Sequence, residues 1–210
     1  MGTMYTPVFR VSFPSVFKKN EKSSNPKYEI GMLFRDTEKD KDDIRNQLTV
    51  KLRKAYKGKP KLESIESLMA EVDRVGKDKW GDKYEALKSK NKIKLPFHDG
   101  TDKEYDGYGE GVVFCTSRSK TQPGVLDQKC NRIIDEEELY AGCYAIASVN
   151  IYANDGVYDG VPTKSISVGL NNIQKIADGE PFSGRARAEE EFVAIDEPED
   201  DDSDLTIDDL

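Results

Sequence analysis

The stretch that decides the fold is residues 5–17, which read YTPVFRVSFPSVF. Two sets of side chains alternate along it: Val8, Arg10 and Ser12, and Phe9, Val11 and Phe13. This period of two predicts a β-strand with one face in the core. Pro14 cannot donate a hydrogen bond to a neighbouring strand, so we expect the strand to end there.

Residues 28–35, YEIGMLFR, predict a second strand in which Tyr28, Ile30, Met32 and Phe34 share one face. Gly31 inside this strand indicates a bulge or a close backbone approach. The polar connector, residues 18–27, makes the two strands a hairpin. The side chains expected to fill the core are Phe9, Val11, Phe13, Ile30 and Phe34.

From residue 37 the apolar period changes to three and four, which predicts helices. The apolar positions are Ile44, Leu48, Leu52 and Ala55, then Ile65, Leu68, Met69 and Val72, and a third piece around Trp80, Tyr84 and Leu87. Thr37 or Asp40 would open the first helix, and residues 58–60, Gly-Lys-Pro, would close it. We therefore expect a helical insertion at about residues 37–90, with its many lysines facing solvent.

Strand patterns return at residues 111–117, 140–153 and 164–170. Residues 119–127 predict a loop around Pro123 and Gly124, and residues 171–177 predict a helical turn or an irregular segment. About five strands with a helical insertion favour a mainly β fold, namely an OB-fold, a five-stranded Greek-key barrel. A general β-sandwich also fits the pattern.

Residues 189–210, EEEFVAIDEPEDDDSDLTIDDL, form a strongly acidic C-terminus. It holds twelve of the chain's 40 acidic residues and none of its 32 basic residues. Residues 1–188 therefore hold 32 basic and 28 acidic residues, and their net charge is 32 − 28 = +4. The sequence therefore predicts a mildly basic domain, residues 1–188, and a disordered acidic tail, residues 189–210. Because the charge is divided in this way, the overall net charge of −8 does not exclude a nucleic-acid partner.

The sequence contains none of the common catalytic motifs for phosphate-loop, serine-hydrolase or zinc-protease chemistry. The three cysteines, Cys115, Cys130 and Cys143, are not spaced as metal ligands and are expected to be buried, reduced thiols. The single histidine, His98, suits a loop or structural role better than catalysis. We expect no metal site and no cofactor, and the chain has no apolar run of membrane-spanning length.

Aromatic and basic residues alternate in residues 1–188, as single-stranded nucleic acid requires. Bases stack on exposed rings and cations follow the phosphates, with about 1–3 kcal/mol for each stacked base. Tyrosines are better candidates than phenylalanines because their hydroxyl favours a half-wet surface. The predicted DNA-binding residues are Arg10, Lys18, Lys19, Tyr28, Arg35, Tyr105, Tyr108, Arg118, Lys120, Tyr144 and Tyr152.

Several strings together resemble a bacteriophage family of single-stranded DNA-binding proteins related to the T7-type protein. They are LPFHDG (95–100), SKTQPGVLD (119–127), YAGCY (140–144), ASV (147–149), GLNNIQK (169–175), DGEP (178–181) and, in the helical segment, KWG (79–81). This resemblance spans most of residues 1–188. It implies a single OB-fold that binds single-stranded DNA, without catalysis, in phage DNA replication and recombination, in the cytoplasm of the infected bacterial host.

The resemblance also implies a tail that competes with DNA and recruits replication proteins such as a DNA polymerase or a helicase. The tail residues expected to bind such a partner are Asp204, Leu205, Ile207, Asp208, Asp209 and Leu210. The T7-type tail ends in an aromatic residue, whereas this chain ends in Leu210. Binding of double-stranded DNA and formation of a homodimer are open at this point.

Two functions of other classes remain as alternatives. One is a metal-dependent nuclease that uses the carboxylates of Asp99, Asp102, Glu104, Asp106 and Glu110, although their spacing differs from a calcium-binding EF-hand loop. The other is an adaptor protein whose folded part only presents the acidic tail.

Overall fold

A computed structural model describes residues 2–22, 25–35, 40–57, 60–158 and 161–182. Within these residues there are nine strands and three helices. In chain order they are β1 Met4–Tyr5, β2 Phe9–Asn20, β3 Lys27–Arg35, α1 Ile44–Ala55, α2 Ile65–Trp80, α3 Lys83–Ser89, β4 Ile93–Lys94, β5 His98–Asp99, β6 Val112–Ser119, β7 Gly124–Leu126, β8 Tyr144–Tyr158 and β9 Val161–Ala177. The prediction of a mainly β chain with one helical insertion is confirmed, since all three helices lie between β3 and β4.

The nine strands belong to one hydrogen-bonded sheet. Five of them are long, namely β2, β3, β6, β8 and β9, and each of these pairs with two other long strands. β2 pairs with β3, β3 with β6, β6 with β9, β9 with β8, and β8 with β2. Only the β6–β9 pairing among these is parallel, with Arg118 beside Gly169.

The main core lies on one side of the long strands and beneath the helices. Phe9, Val11, Ile30, Met32 and Phe34 are all buried there, as predicted from their alternation. The rings of Phe9 and Phe34 meet edge to face with centres 5.6 Å apart. Each buried side chain of this size stabilises the fold by about 1.5–3 kcal/mol relative to an exposed one.

Close backbone contacts bring neighbouring strands together. A Cβ atom at Gly31 would lie 2.8 Å from the carbonyl oxygen of Ser12, so only glycine fits there, which confirms the predicted close approach. The buried Ser117 hydroxyl donates a hydrogen bond to the Val168 carbonyl at 3.1 Å, which ties β6 to β9 where their ladder is short.

The strand boundaries differ from those predicted in three places. Strand β2 continues through Pro14 to Asn20, because the register shifts between Ser12 and Ser15 and the proline sits in that irregularity. Residues 171–177 are neither helical nor irregular but continue β9, which pairs with β8 as far as Ala177. Inside the predicted loop at 119–127, the short strand β7 pairs in parallel with β9.

The helices begin and end at sites that the sequence only partly indicated. Helix α1 begins after Asp43, whose side chain accepts from the Arg45 amide at 2.9 Å, and not after Asp40; Thr37 lies outside the described residues. Ile44 is 53 % exposed, whereas Thr49 is buried because its hydroxyl accepts from the Val8 amide. Helix α2 is capped by Ser64 and continues beyond Val72, the last apolar position of its predicted pattern, to Trp80.

Not all three thiols are buried, contrary to the prediction. Cys115 and Cys143 are buried, but Cys130 is exposed, in a turn where its φ of 63° lies in the left-handed region. Burial raises the pKa of Cys115 to about 12 and that of Cys143 to about 11.

Candidate nucleic-acid interface

The side of the long strands that points away from the core is here called the outer face, and at Leu33 and Phe114 it is covered by Tyr108 and Phe182. Strands β3 and β6 place three pairs of opposite residues on it: Leu33 with Phe114, Gly31 with Thr116, and Glu29 with Arg118. Since successive side chains alternate between faces, the intervening residues point into the core. The outer face therefore belongs to the same strands that build the core and is held rigidly by them.

Five rings follow one another along one end of the outer face, and we call them the aromatic row: Phe13, Tyr105, Tyr108, Phe114 and His98. Neighbouring ring centres are 5.2, 5.9, 5.1 and 5.3 Å apart in that order. Phe13 and Tyr105 are 58 % and 57 % exposed, whereas Phe114 is 8 % exposed. The row therefore has a buried ring, Phe114, a half-buried one, Tyr108, and three exposed rings, Phe13, Tyr105 and His98.

Phe13 is the clearest correction to the sequence-based core. Its alternation predicts a buried ring, but its φ of 42° turns the side chain outward at the β2 irregularity. The ring contacts Tyr105 on one side, and more than half of its surface is available for a partner. Pro14 in the middle of the strand is the signal that could have indicated a bulge here.

The tyrosines of the row are positioned by a tight turn. The Tyr108 amide donates to the Tyr105 carbonyl at 3.1 Å, and Gly107 between them has a φ of 81° that favours glycine. The Tyr108 hydroxyl and the Ser12 hydroxyl are 3.1 Å apart and share a hydrogen bond. Burial raises the pKa of Tyr108, against the opposing effect of the Ser12 hydrogen bond, so the ring stays neutral at physiological pH.

A groove of about 840 Å³ continues from the row across β6 and β9. Its cations are Lys27, Lys94, Lys103 and Arg118, and its rings are Phe97, His98, Phe114 and Tyr152. Among its lining residues the single carboxylate is Asp102, so the lining carries a net positive charge. Thr116, Ser165 and Ser167 add small hydroxyl side chains, which leave space between the rings.

Four of the predicted DNA-binding residues lie on these two features. Tyr105 and Tyr108 belong to the aromatic row, and Arg118 and Tyr152 line the groove. The Arg118 Nε also donates to a Glu29 carboxylate oxygen at 2.9 Å, which fixes the direction of its side chain.

Four others lie at the end of the β2–β3 hairpin and of β6. Lys18 forms an ion pair with Glu136 at 2.8 Å, which raises the pKa of Lys18, and the Lys19 ammonium lies 5.6 Å from the centre of the Tyr28 ring. Tyr28 faces Ser119 across the β3–β6 ladder, and the exposed Lys120 follows directly. These side chains are near the groove residues Lys27 and Arg118 in sequence but do not line the groove.

The remaining three make intramolecular contacts. Arg35 donates to the Glu110 carbonyl at 2.8 Å. Arg10 donates from Nε to the Gly142 carbonyl at 3.0 Å and from Nη2 to the Glu180 carbonyl at 2.5 Å. Its guanidinium also lies over the ring of Tyr144, 5.5 Å from the ring centre.

Sequence reasoning missed several residues of the interface: Phe13, Lys27, Lys94, Phe97, His98 and Lys103. Three of them lie in or beside the string LPFHDG, which carries the family resemblance but contains no recognisable chemical motif. The predicted tail residues, Asp204 to Leu210, lie outside the described part of the chain.

The carboxylates at residues 99–110 do not form a metal site. In the described part of the chain, no group of three or more His, Cys, Asp or Glu side chains is arranged to hold a metal ion. Asp99 instead accepts from the amide and hydroxyl of Thr101 at 2.8 and 2.7 Å, which lowers its pKa and caps a short 3-10 turn. Across the same described residues, no helix is long and apolar enough to span a membrane.

Comparison with known proteins gives two kinds of match. The family model described as "Enterobacter phage Enc34, ssDNA-binding protein" matches residues 3–205. Protein p50 of Acyrthosiphon pisum secondary endosymbiont phage 1 is 32 % identical over 141 residues, which cover 64 % of this chain and 73 % of that protein.

Solved structures share the fold at low sequence identity. The single-stranded DNA-binding protein from bacteriophage Enc34, in complex with single-stranded DNA, has a TM-score of 0.60 and 22 % identity, and covers 87 % of this chain and 90 % of that chain. The single-stranded DNA-binding protein gp2.5 of bacteriophage T7 has a TM-score of 0.54 and 8 % identity, and the match covers 89 % of this chain and 98 % of that chain.

Proposed function

The chain belongs to the Enc34 family of phage single-stranded DNA-binding proteins, and we propose that it binds the strand across its outer face without catalysing a reaction. As a member of this family it binds single-stranded DNA in phage DNA replication. The observation that carries the proposal is the junction of the aromatic row with the groove, at Phe114 and His98.

Each part of this surface suits one part of a DNA strand. The exposed rings of Phe13 and Tyr105 offer flat faces on which bases of any sequence can stack, at about 1–3 kcal/mol for each base. The groove cations lie where the phosphates of the same strand would pass, and their attraction is independent of sequence. Binding is therefore largely sequence-independent.

We propose that the five long strands form an OB-fold barrel of the Greek-key type. Supporting this, their pairings return from β9 through β8 to β2, with one parallel pairing, β6–β9. OB-folds bind oligonucleotides across the face of their second and third strands. The second and third long strands here are β3 and β6, and β6 carries Phe114 and Arg118 on the outer face.

The acidic tail, residues 189–210, is proposed to compete with DNA for the basic domain, residues 1–188. A tethered polyanion acts at high effective concentration, and the domain carries +4 against its twelve carboxylates. Supporting this, the last described residue, Phe182, packs against Leu33, Val112 and Phe114, beside the aromatic row.

We propose that the tip of the tail, Asp204 to Leu210, recruits a replication protein such as a DNA polymerase or a helicase. The tip combines apolar side chains with carboxylates, which a basic pocket with an apolar floor could bind. The setting would be the cytoplasm of the infected host, during replication and recombination. Homodimer formation and binding of double-stranded DNA stay predictions, which sedimentation and duplex titration would test.

The proposal is tested by titrating a labelled oligonucleotide with the full chain and with residues 1–188 at matched salt, and following its fluorescence anisotropy. We expect both to bind, the shorter chain more tightly, with affinity that falls steeply with salt and is indifferent to a chelator. Cleavage that needs Mg²⁺ would indicate a nuclease. If neither chain binds DNA, the protein is an adaptor and the proposal is wrong.

A further inference from the structure

The carboxylate of Asp155 on β8 meets donors from two other elements. It accepts from Trp80 Nε1 at the end of α2 at 3.1 Å and from Lys164 Nζ on β9 at 2.7 Å, and Lys79 Nζ lies 3.5 Å away. These hydrogen bonds from Lys164 and Trp80 lower the pKa of Asp155, so it is ionised at physiological pH. One side chain therefore connects the helical insertion to the β8–β9 hairpin.

Residues 152–158 and 161–167 of that hairpin are here called the arm, and the base of the arm forms one wall of the groove. Tyr152, Ser165 and Ser167 line the groove, and they lie at the base of the arm, where Tyr152 faces Ser167. Another part of the lining, residues 91–98, follows directly after α3, and β4 within it pairs with β9 at Lys164 and Ser165. Both parts of the groove are thus attached to the helices.

Helices α2 and α3 form a stiff unit. The Trp80 ring stacks on the Tyr84 ring, with centres 6.3 Å apart and planes within 7°. Tyr84 has no exposed surface and presses against Gly76, and its hydroxyl donates to Asp73 at 2.6 Å. Lys88 donates to the same Asp73 oxygen at 2.6 Å. Trp80 is therefore held in place from the side of the helices.

We propose that the helical insertion positions the arm through Asp155 and so keeps the groove at the width that a single DNA strand needs. In this account the insertion contributes to DNA binding by fixing the groove wall, and its lysines are secondary. The inference rests on the proposed function, since it concerns the same groove. Asp155 and Trp80 are positioning residues and touch no DNA.

The rival explanation is electrostatic and predicts the opposite sign. If Asp155 only neutralises Lys79 and Lys164, its replacement by asparagine would free two cations for phosphates. Binding would then become tighter and its salt dependence steeper, by about 0.7 in the logarithmic slope for each additional phosphate that is neutralised. If Asp155 positions the arm, the same replacement weakens binding.

The test compares Asp155→Asn and Trp80→Phe with the native chain in the oligonucleotide titration. Trp80→Phe removes the Nε1 donor, keeps a ring beside Tyr84 and leaves the net charge unchanged. The matched control is Asp78→Asn, which changes the charge by the same amount on α2, where Asp78 pairs only with Arg74 among the described ion pairs. We expect a loss of affinity of about three- to tenfold for Asp155→Asn, which removes both ion pairs, a smaller loss for Trp80→Phe, which removes one hydrogen bond, and little change for the control.

A second readout separates positioning from general instability. Amide hydrogen exchange in the free protein should rise in residues 150–157 and not in β3 or β6, with little change in melting temperature. Tighter binding by Asp155→Asn, or equal affinity for Trp80→Phe, would overturn the inference while the native chain still binds DNA. A native chain that fails to bind DNA would overturn the proposed function itself.

Discussion

The guanidinium carbon of Arg10 lies 4.3 Å from the centre of the Phe182 ring. Because the Glu180 carbonyl also accepts from this guanidinium, Arg10 holds residues 178–182 against the outer face. Nearby, Gly179 exchanges hydrogen bonds with the Tyr140 hydroxyl at 2.9 and 3.0 Å. Residues 178–182 are therefore part of the folded structure, although their sequence has no regular pattern.

Arg10→Ala should lower stability more than it lowers DNA affinity. The variant loses hydrogen bonds from a charged donor and the packing against Phe182, which we expect to cost about 1–3 kcal/mol of the free energy of unfolding. Urea denaturation measures this loss. Arg118→Ala is the matched comparison, since Arg118 lines the groove and should affect affinity more than stability. Unchanged stability with weaker binding in Arg10→Ala would make Arg10 a phosphate ligand instead.

Phe13→Ala and Tyr105→Ala should each weaken binding of single-stranded DNA while changing the melting temperature little. Both rings are more than half exposed, so the fold loses little packing, whereas DNA loses a stacking partner of about 1–3 kcal/mol. The titration and a thermal melt of each variant check this. Ile134→Ala is the control, because Ile134 is 83 % exposed and lies outside the row and the groove. A lower melting temperature with unchanged affinity would contradict the role of the row.

Lys27→Ala and Lys103→Ala should reduce affinity equally for all sequences and make it less sensitive to salt. When a lysine that neutralises one phosphate of a single strand is removed, the slope of log affinity against log salt becomes shallower by about 0.7. Titration at several salt concentrations gives this slope. The control is Lys61→Ala, which removes the same charge from a residue that does not line the groove. If Lys61→Ala changes the slope equally, the phosphates do not bind specifically in the groove.

Gly76→Ala should destabilise the helical insertion. A Cβ atom at this position would lie only 2.2 Å from the Tyr84 ring, so the two helices would have to separate. Overpacking of this kind costs about 1–3 kcal/mol. Met69→Ala on the exposed side of α2 is the control in denaturant unfolding, and equal stability of the two variants would show that the α2–α3 contact is loose.

One thiol should react rapidly in the native protein and three in the unfolded one. Burial raises the pKa values of Cys115 and Cys143, so few thiolates form there at neutral pH, whereas Cys130 is exposed. A colorimetric thiol assay with and without denaturant counts them, and Cys130→Ser should abolish the rapid phase. Rapid reaction of a second thiol in the native chain would mean that the core opens readily.

Local periodicity predicted the elements whose pattern is regular. The alternation around Ile30 and Met32 and the helical spacing around Ile65 and Leu68 each led to the observed strand and helix. Residues 171–177 were not recognised as strand because partners distant in sequence, on β8 and β7, determine their conformation. Tertiary pairing overrides weak local preference in such segments.

The site was less predictable than the fold because it depends on which distant residues meet. Phe13 has the pattern of a core residue, and only its φ of 42° turns it outward. Arg10 has the pattern of a phosphate ligand, but its guanidinium is engaged by the carbonyls of Gly142 and Glu180, which are distant in sequence. Tyr105 and Tyr108 were predicted because the hydroxyl of a tyrosine favours a half-wet surface, and both lie in the aromatic row.

The location of the DNA is tested most directly by photocrosslinking the full chain to an oligonucleotide that carries iodouracil and identifying the modified peptides by mass spectrometry. We expect crosslinks to the exposed rings of the outer face, chiefly Phe13 and Tyr105, with further ones at Phe97 or Tyr152 in the groove. Crosslinks confined to the lysine-rich surfaces of α1 and α2, with none on these rings, would contradict this location.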